Sequence, residues 1–212
     1  MHSPQLTIKR LLDVILCALV LICGCPVFLI IAVLVKASSP GPIFFVQERV
    51  GLNGGPFRLY KFRTMVGKPP QNQEAASWTA AEEARITRIG HFLRDYGLDE
   101  LPQVINILKG DMSIIGPRPP LPAVAETFNE RQRRTFRMRP GVLSLAAIKG
   151  RRSISMENRV DLHVEYVDNW SLWLDCVIAW KSLTVVLGRR DASEIVAVPQ
   201  RGSPEDEIPE QR

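Results

Sequence analysis

The 212-residue sequence is short of cysteine, with four, and the few it has are badly placed for a disulfide framework. Cys17, Cys23 and Cys25 lie in one apolar run and Cys176 stands alone, which fits reduced, cytoplasm-facing thiols. Cys23-Gly24-Cys25 has no accompanying His or second Cys pair, so it is not read as a metal half-site. No internal repeat is visible, which excludes a solenoid or propeller. The apolar run near the N-terminus is too long for a signal peptide and lacks the small-residue cleavage site that would follow one. The arginines are not interleaved with aromatics, so the stacking platform of a single-strand nucleic-acid binder is missing.

What is present starts with charge. The chain carries +5, and its segment from Val196 onward is −2 (Arg201 and Arg212 against Glu205, Asp206, Glu207 and Glu210), leaving +7 on the body before it. A basic body suits nucleic acid, an anionic membrane surface or phosphorylated small molecules, and charge alone does not choose. The second feature is "VILCALVLICGCPVFLIIAVLV", Val14 to Val35, 22 residues without a formal charge. That length can cross a hydrocarbon core of roughly 30 Å. Lys9 and Arg10 precede it and Lys36 follows. Pro26 sits in its middle, beside Gly24, and should kink or break the helix through its missing N–H and its clash with the Ile22 carbonyl. Two topologies follow: a kinked single span, or a helix that enters and leaves on one face, which the cationic flanks at both ends favour mildly.

Beyond "SSPGP" (38–42), residues 43–62 predict two strands around Asn53-Gly54-Gly55, a hairpin signal. Residues 67–82 read as a mobile loop. Ile86, Ile89, Phe92, Leu93 and Tyr96 give a helix stopped at Gly97, and Leu101, Val104, Ile105 and Leu108 a second one ending at Gly110. Residues 121–138 predict one helix carrying an arginine cluster, and 171–187 a last apolar helix. Trp170, Trp173 and Trp180 suit either an interfacial belt or the core. Residues 191–212 read as a disordered tail.

Two short stretches carry chemistry. In "YGLDELPQ" (96–103), Pro102 is tolerated only in the first turn of a helix, so the helix should begin near Asp99. Asp99 could then be a cap and Glu100 a complement to the dipole. The same position also favours ionised carboxylates near phosphate oxygens, where Mg²⁺ takes one or two carboxylates plus phosphates and water. In "GPRP" (116–119), Arg118 stands between two prolines on a stiffened backbone, and guanidinium suits bidentate phosphate recognition. A basic membrane-associated chain with both features fits phosphoryl transfer at a bilayer surface.

The order "KRLLD" (9–13), a proline-interrupted apolar helix, "QERVG…FRLYKFRTM" (47–65), "LDELPQVINILKGDMSIIGPRP" (98–119), "RPG" (139–141) and "KGR" (149–151) resembles the bacterial sugar transferases. These are monotopic polyprenyl-phosphate sugar-1-phosphate transferases, and the likeness covers roughly residues 8–190. It implies an α+β, mainly helical fold. A re-entrant helix (1–36), broken at Pro26, would precede a cytoplasmic catalytic domain (37–190) with a short hairpin and amphipathic interfacial helices. It implies that Asp99 attacks the sugar-proximal phosphate of a UDP-sugar, that UMP leaves, and that a polyprenyl (undecaprenyl) phosphate takes the phosphosugar from the aspartate. Glu100 would be the second carboxylate, with Asp99 and Glu100 holding Mg²⁺. Lys61, Arg63, Arg118 and Arg151 would bind phosphates, while Asp111 is equally readable as a turn-former. It also implies the cytoplasmic face of a bacterial inner membrane, and a small member without the extra spans of larger relatives.

The chain departs from the family at two places. Cys25 stands where a serine usually precedes the proline, so the break rests on Pro26 and Gly24. After "RPG" it reads "VLSLAAIKGR" where the family reads close to "ITGWAQVNGR", and Lys149 adds a charge near the donor pocket. Two rival classes stay open on the residues alone: a polyprenyl glycosyltransferase releasing UDP, and a non-catalytic membrane-surface adaptor.

Overall fold

The computed structural model describes residues 4–67, 83–149 and 156–188. All but the first residue of the loop expected over 67–82, Arg151 and the tail expected over 191–212 lie outside them.

Helix α1 (Pro4–Ser38) contains the whole apolar run and continues through Pro26. The expected division into two helices at that proline is therefore not found. Pro26 removes one donor, but every other backbone group of so apolar a segment still needs its intrahelical partner, which keeps the rest of the ladder in place.

Both ends of α1 are fastened to the remainder of the chain. At the N-terminal end Lys9 Nζ donates to Asp175 Oδ2 at 2.7 Å, and both side chains are nearly buried. Asp13 accepts the Ser113 hydroxyl at 2.8 Å and the Ile114 N–H at 3.1 Å. Arg10 donates to the carbonyls of Ile107 and Leu108. At the C-terminal end Arg63 Nη2 donates to the carbonyls of Val35 and Ser39. The "KRLLD" motif is thus a docking device. Between the two ends the helix exposes large apolar side chains, among them Ile22, Leu29 and Val33.

Strands β1 (Phe44–Val50) and β2 (Pro56–Phe62) form the expected antiparallel hairpin, with Gln47 opposite Leu59. The turn works because Asn53 and Gly54 take positive φ, 56° and 77°. Helix α2 (Arg88–Asp95) starts at Thr87, whose hydroxyl accepts the Gly90 N–H at 2.9 Å, and it gives way at Gly97, φ 68°. A 3₁₀ turn (Leu98–Glu100) leads into α3 (Gln103–Lys109).

Strand β3 (Ser113–Ile115) pairs in parallel with β4 (Gly141–Leu143). Gly116 and Gly141, from "GPRP" and "RPG", let the two backbones cross: Gly141 N–H donates to Pro117 O at 2.9 Å and Gly116 N–H to Leu143 O at 3.0 Å. A Cβ on either glycine would run into the backbone of the other segment.

The single helix expected over 121–138 is instead α4 (Pro122–Glu126), α5 (Glu130–Arg133) and a 3₁₀ turn (Arg134–Arg137). The reason is a capping box. Asn129 Oδ1 accepts the Gln132 N–H and Gln132 Oε1 accepts the Asn129 N–H, which starts a new helix at that point. Helices α6 (Leu145–Lys149), α7 (Met156–Asp168) and α8 (Leu172–Gly188) complete the described chain.

Three apolar clusters hold these elements together. Cys17, Leu59, Val104, Ile107 and Met112 join α1 to β2 and α3. Ile31, Val35, Phe62 and Leu93 join the other end of α1 to β2 and α2. Ile115, Leu145, Ile148, Tyr166 and Ile178 join β3, α6, α7 and α8, and Trp170 packs against them. Of the three tryptophans near α8, Trp170 is therefore a core residue, with its Nε1 on Asp175 at 3.1 Å. Trp173 and Trp180 are 76% and 68% exposed.

Candidate active site

The Asp99–Glu100 pair does not cap a helix. It lies in the 3₁₀ turn after Gly97, and α3 begins beyond Pro102, which makes no side-chain cap bond. A capping role for Asp99 is thereby removed. α3 is pinned to the hairpin by Asn106, a fully buried side chain. Asn106 accepts the Tyr60 N–H at 3.0 Å and donates to the Arg58 carbonyl at 2.6 Å, as a neighbouring strand would. With that register set, Lys61, on the same face of β2 as Leu59, reaches the dyad.

Lys61 Nζ lies 2.6 Å from Glu100 Oε1 and 3.9 Å from Asp99 Oδ2. Arg118 Nη2 reaches the same Glu100 oxygen at 3.3 Å, although its side chain is half exposed. Asp99 is buried, 9% exposed, and among the described residues no side-chain hydrogen bond ties it to another residue.

The two carboxylates are driven apart electrostatically. Burial lifts Asp99 above the ordinary carboxylate range, and the nearby Glu100 charge adds to this against Lys61 and Arg94. Burial also acts upward on Glu100, but Lys61 and Arg118 outweigh it and hold its carboxyl below the usual range. One carboxylate is thus clamped in its ionised form while its neighbour meets Lys61 only at 3.9 Å. Divergent environments on adjacent acids mark a division of labour. Around these two negative groups stand four cations: Lys61, Arg118, Arg94, whose charge acts on Asp99, and Arg49, which feels both Arg118 and Glu100. The excess of two positive charges suits a diphosphate.

Other expected site residues are placed elsewhere. Arg63 turns away from the dyad and uses Nη2 on the end of α1. Asp111 accepts the Asn106 amide at 3.3 Å in the turn after α3, at the opposite pole of that helix from the dyad. Lys149 is paired with Glu165 at 2.7 Å, so the charge introduced by "KGR" is matched inside the protein.

Arg49, Arg94 and His163 were not among the expected site residues. Arg94 was legible as a cation five residues ahead of Asp99, across the Gly97 turn. Arg49 was legible as an inward-facing charge in "QERVG". His163 had no signal. It is 5% exposed, its Nδ1 lacks a hydrogen-bond partner among the described residues, and burial holds it neutral, down to about 4.

The body that holds both ends of α1 thus carries paired acids with Lys61 and Arg118 against them. The chain belongs to the bacterial sugar transferase family, whose model matches residues 4–189, and it is a transferase. It is 39% identical over 180 residues to the uncharacterized sugar transferase EpsL of Bacillus subtilis, covering 85% of this chain and 87% of that protein. It is 40% identical over 189 residues to the UDP-glucose:undecaprenyl-phosphate glucose-1-phosphate transferase of Escherichia coli. That match covers 85% of this chain but 40% of the longer relative. The exopolysaccharide production protein ExoY of Rhizobium meliloti is 38% identical, with 84% of each chain covered.

Proposed function

We propose that the protein transfers a sugar-1-phosphate from a UDP-sugar to undecaprenyl phosphate, releasing UMP, at the start of polysaccharide assembly. The observation that carries this is the contrast within the dyad: Glu100 is engaged closely by Lys61 and Arg118, whereas Asp99 meets Lys61 only at 3.9 Å. Asp99 attacks the sugar-proximal phosphorus. The bond from that phosphorus to the oxygen bridging the two phosphates breaks, and UMP leaves with the electron pair. The undecaprenyl phosphate oxygen then attacks the same phosphorus, and Asp99 departs as a carboxylate. Lys61 and Arg118 hold the phosphate oxygens as charge shifts among them.

Among the described residues there is no cluster of three or more His, Cys, Asp or Glu that could hold a metal. Mg²⁺ takes one or two carboxylates and completes its shell with phosphates and water. Asp99, with Glu100 beside it, would hold the ion, which neutralises the diphosphate when bound. The test is a panel of UDP-sugars with undecaprenyl phosphate, read by the nucleotide released. UMP is expected, and excess chelator should abolish its release. UDP as product, or full turnover in chelator, overturns the respective part of the proposal.

The same reading makes α1 re-entrant, with the catalytic domain on the cytoplasmic face of the inner membrane. Its support is that Lys9, Arg10 and Asp13 at one end and Val35 and Ser39 at the other bind the same body. Ends held that way are poorly suited to opposite sides of a roughly 30 Å layer. Phe92 on α2, Tyr96 just after it, and Trp173 and Trp180 on α8, all exposed, fit the interface around it. Single cysteines introduced at residues 2 and 190, in a chain without its native thiols, should react with an impermeant reagent from the same side. Labelling from opposite sides would discard the re-entrant topology.

A further inference from the structure

We propose that Gln47 and Arg49 form a positioning pair that sets Arg118 over the dyad. The inference rests on the donor-binding role given to Arg118 above and adds the parts that place it.

Gln47 and Arg49 are two residues apart on β1, so both side chains leave the same face of the strand, while Glu48 between them points to solvent. Gln47 Oε1 accepts from Arg49 Nε at 3.2 Å and from Nη2 at 2.6 Å. This fork turns the remaining nitrogen, Nη1, onto the carbonyl of Pro119 at 3.1 Å. One residue further along, the Val50 N–H donates to the carbonyl of Pro120, also at 3.1 Å. The end of β1 therefore grips two successive carbonyls immediately after Arg118.

That grip matters because Arg118 lies between two prolines. Pro119 has a fixed φ and biases the backbone of Arg118 toward extended conformations, so few torsions separate the held carbonyl from the root of the Arg118 side chain. Fixing Pro119 then decides where the Arg118 guanidinium falls, and it falls on Glu100. Each of the three nitrogens of Arg49 makes a bond within the protein, using three of its five N–H donors, so its head is held in place and we assign it to positioning Arg118. Burial and the Arg118 charge lower Arg49 to about 10, which still leaves it cationic at neutral pH. Lysine could not replace it, because a single ammonium lacks the planar fork that spans Gln47 and Pro119 together.

The test uses the full chain in nanodiscs and a double-mutant cycle. Arg49→Lys keeps the charge and should keep the melting temperature, yet it should lower kcat/KM for the UDP-sugar by about 10- to 100-fold, the scale of a small misplacement of a binding group. Gln47→Leu, which leaves Arg49 in place without its orienting partner, should do the same to a smaller degree. In an Arg118→Ala background Arg49→Lys should cost less than about threefold, because the group it positions is gone. Losses that multiply in the double variant, or unchanged donor kinetics in Arg49→Lys and Gln47→Leu, overturn the pair's role alone. Unchanged donor kinetics in Arg118→Ala itself would overturn the underlying assignment of the site, and the pair's role with it.

Discussion

Asp99→Asn is expected to abolish turnover, by roughly a thousandfold or more, while leaving the fold intact. The amide is nearly the same size and can occupy the same turn, and the structure gives Asp99 no capping bond to lose. Burial even favours the neutral side chain, since it already raises the carboxyl. What the amide lacks is an oxygen able to form an acyl phosphate. Incubation of the wild-type protein with a UDP-sugar labelled in the sugar, without acceptor, should transfer label to the protein and release UMP. Asp99→Asn should show neither event. Glu100→Gln should slow both without preventing the label from appearing, because it loosens Lys61 and Arg118 but spares the nucleophile. A folded Asp99→Asn protein with near-normal turnover would end the covalent mechanism.

The largest effect on stability is expected at Lys9. Its ammonium is nearly buried against Asp175, which also accepts the Tyr166 hydroxyl at 2.7 Å and the Trp170 N–H at 3.1 Å. Lys9→Met leaves that carboxylate buried without its cation. Breaking a buried pair from one side costs several kcal/mol, and the two remaining hydrogen bonds put this case near about 3 kcal/mol. Adding Asp175→Asn should recover part of the loss, because the uncompensated charge goes while an acceptor remains for Tyr166 or Trp170. Denaturant titration of the protein in nanodiscs checks both values. A loss below about 0.5 kcal/mol in Lys9→Met would show that the pair contributes nothing net, as exposed pairs often do.

Features that local chemistry dictates were legible in the sequence. The Asn53–Gly54 turn announced its hairpin because few residues accept positive φ there. Asp99, Glu100 and Arg118 stood out by their local chemistry, and Lys61 joined them only through the family resemblance. What escaped was set by contacts between distant segments. β3 and β4 are three residues each, too short to show a period, and they pair because Gly116 and Gly141 permit close approach. The capping box at Asn129 was written in the sequence, but it was hidden inside a run of residues with good helix propensity. Arg63 is adjacent to the strand that carries Lys61, yet the end of α1 draws it to other partners. Its identity alone could not separate a phosphate ligand from a brace for a helix end.

The bracing of α3 has a consequence for how the protein can be dissected. Arg10, in the first turns of the apolar helix, satisfies the carbonyls of Ile107 and Leu108 at the far end of the segment whose near end leads from the dyad. Cutting away residues 1–40 to obtain a water-soluble enzyme would thus remove more than grease. It would leave those carbonyls, the Ser113 hydroxyl and the Asp175 carboxylate without the partners that complete them. Helix α1 and the body that carries the dyad are not separable modules, and solubility must be sought by redesigning the outer face of α1 rather than by deleting the helix.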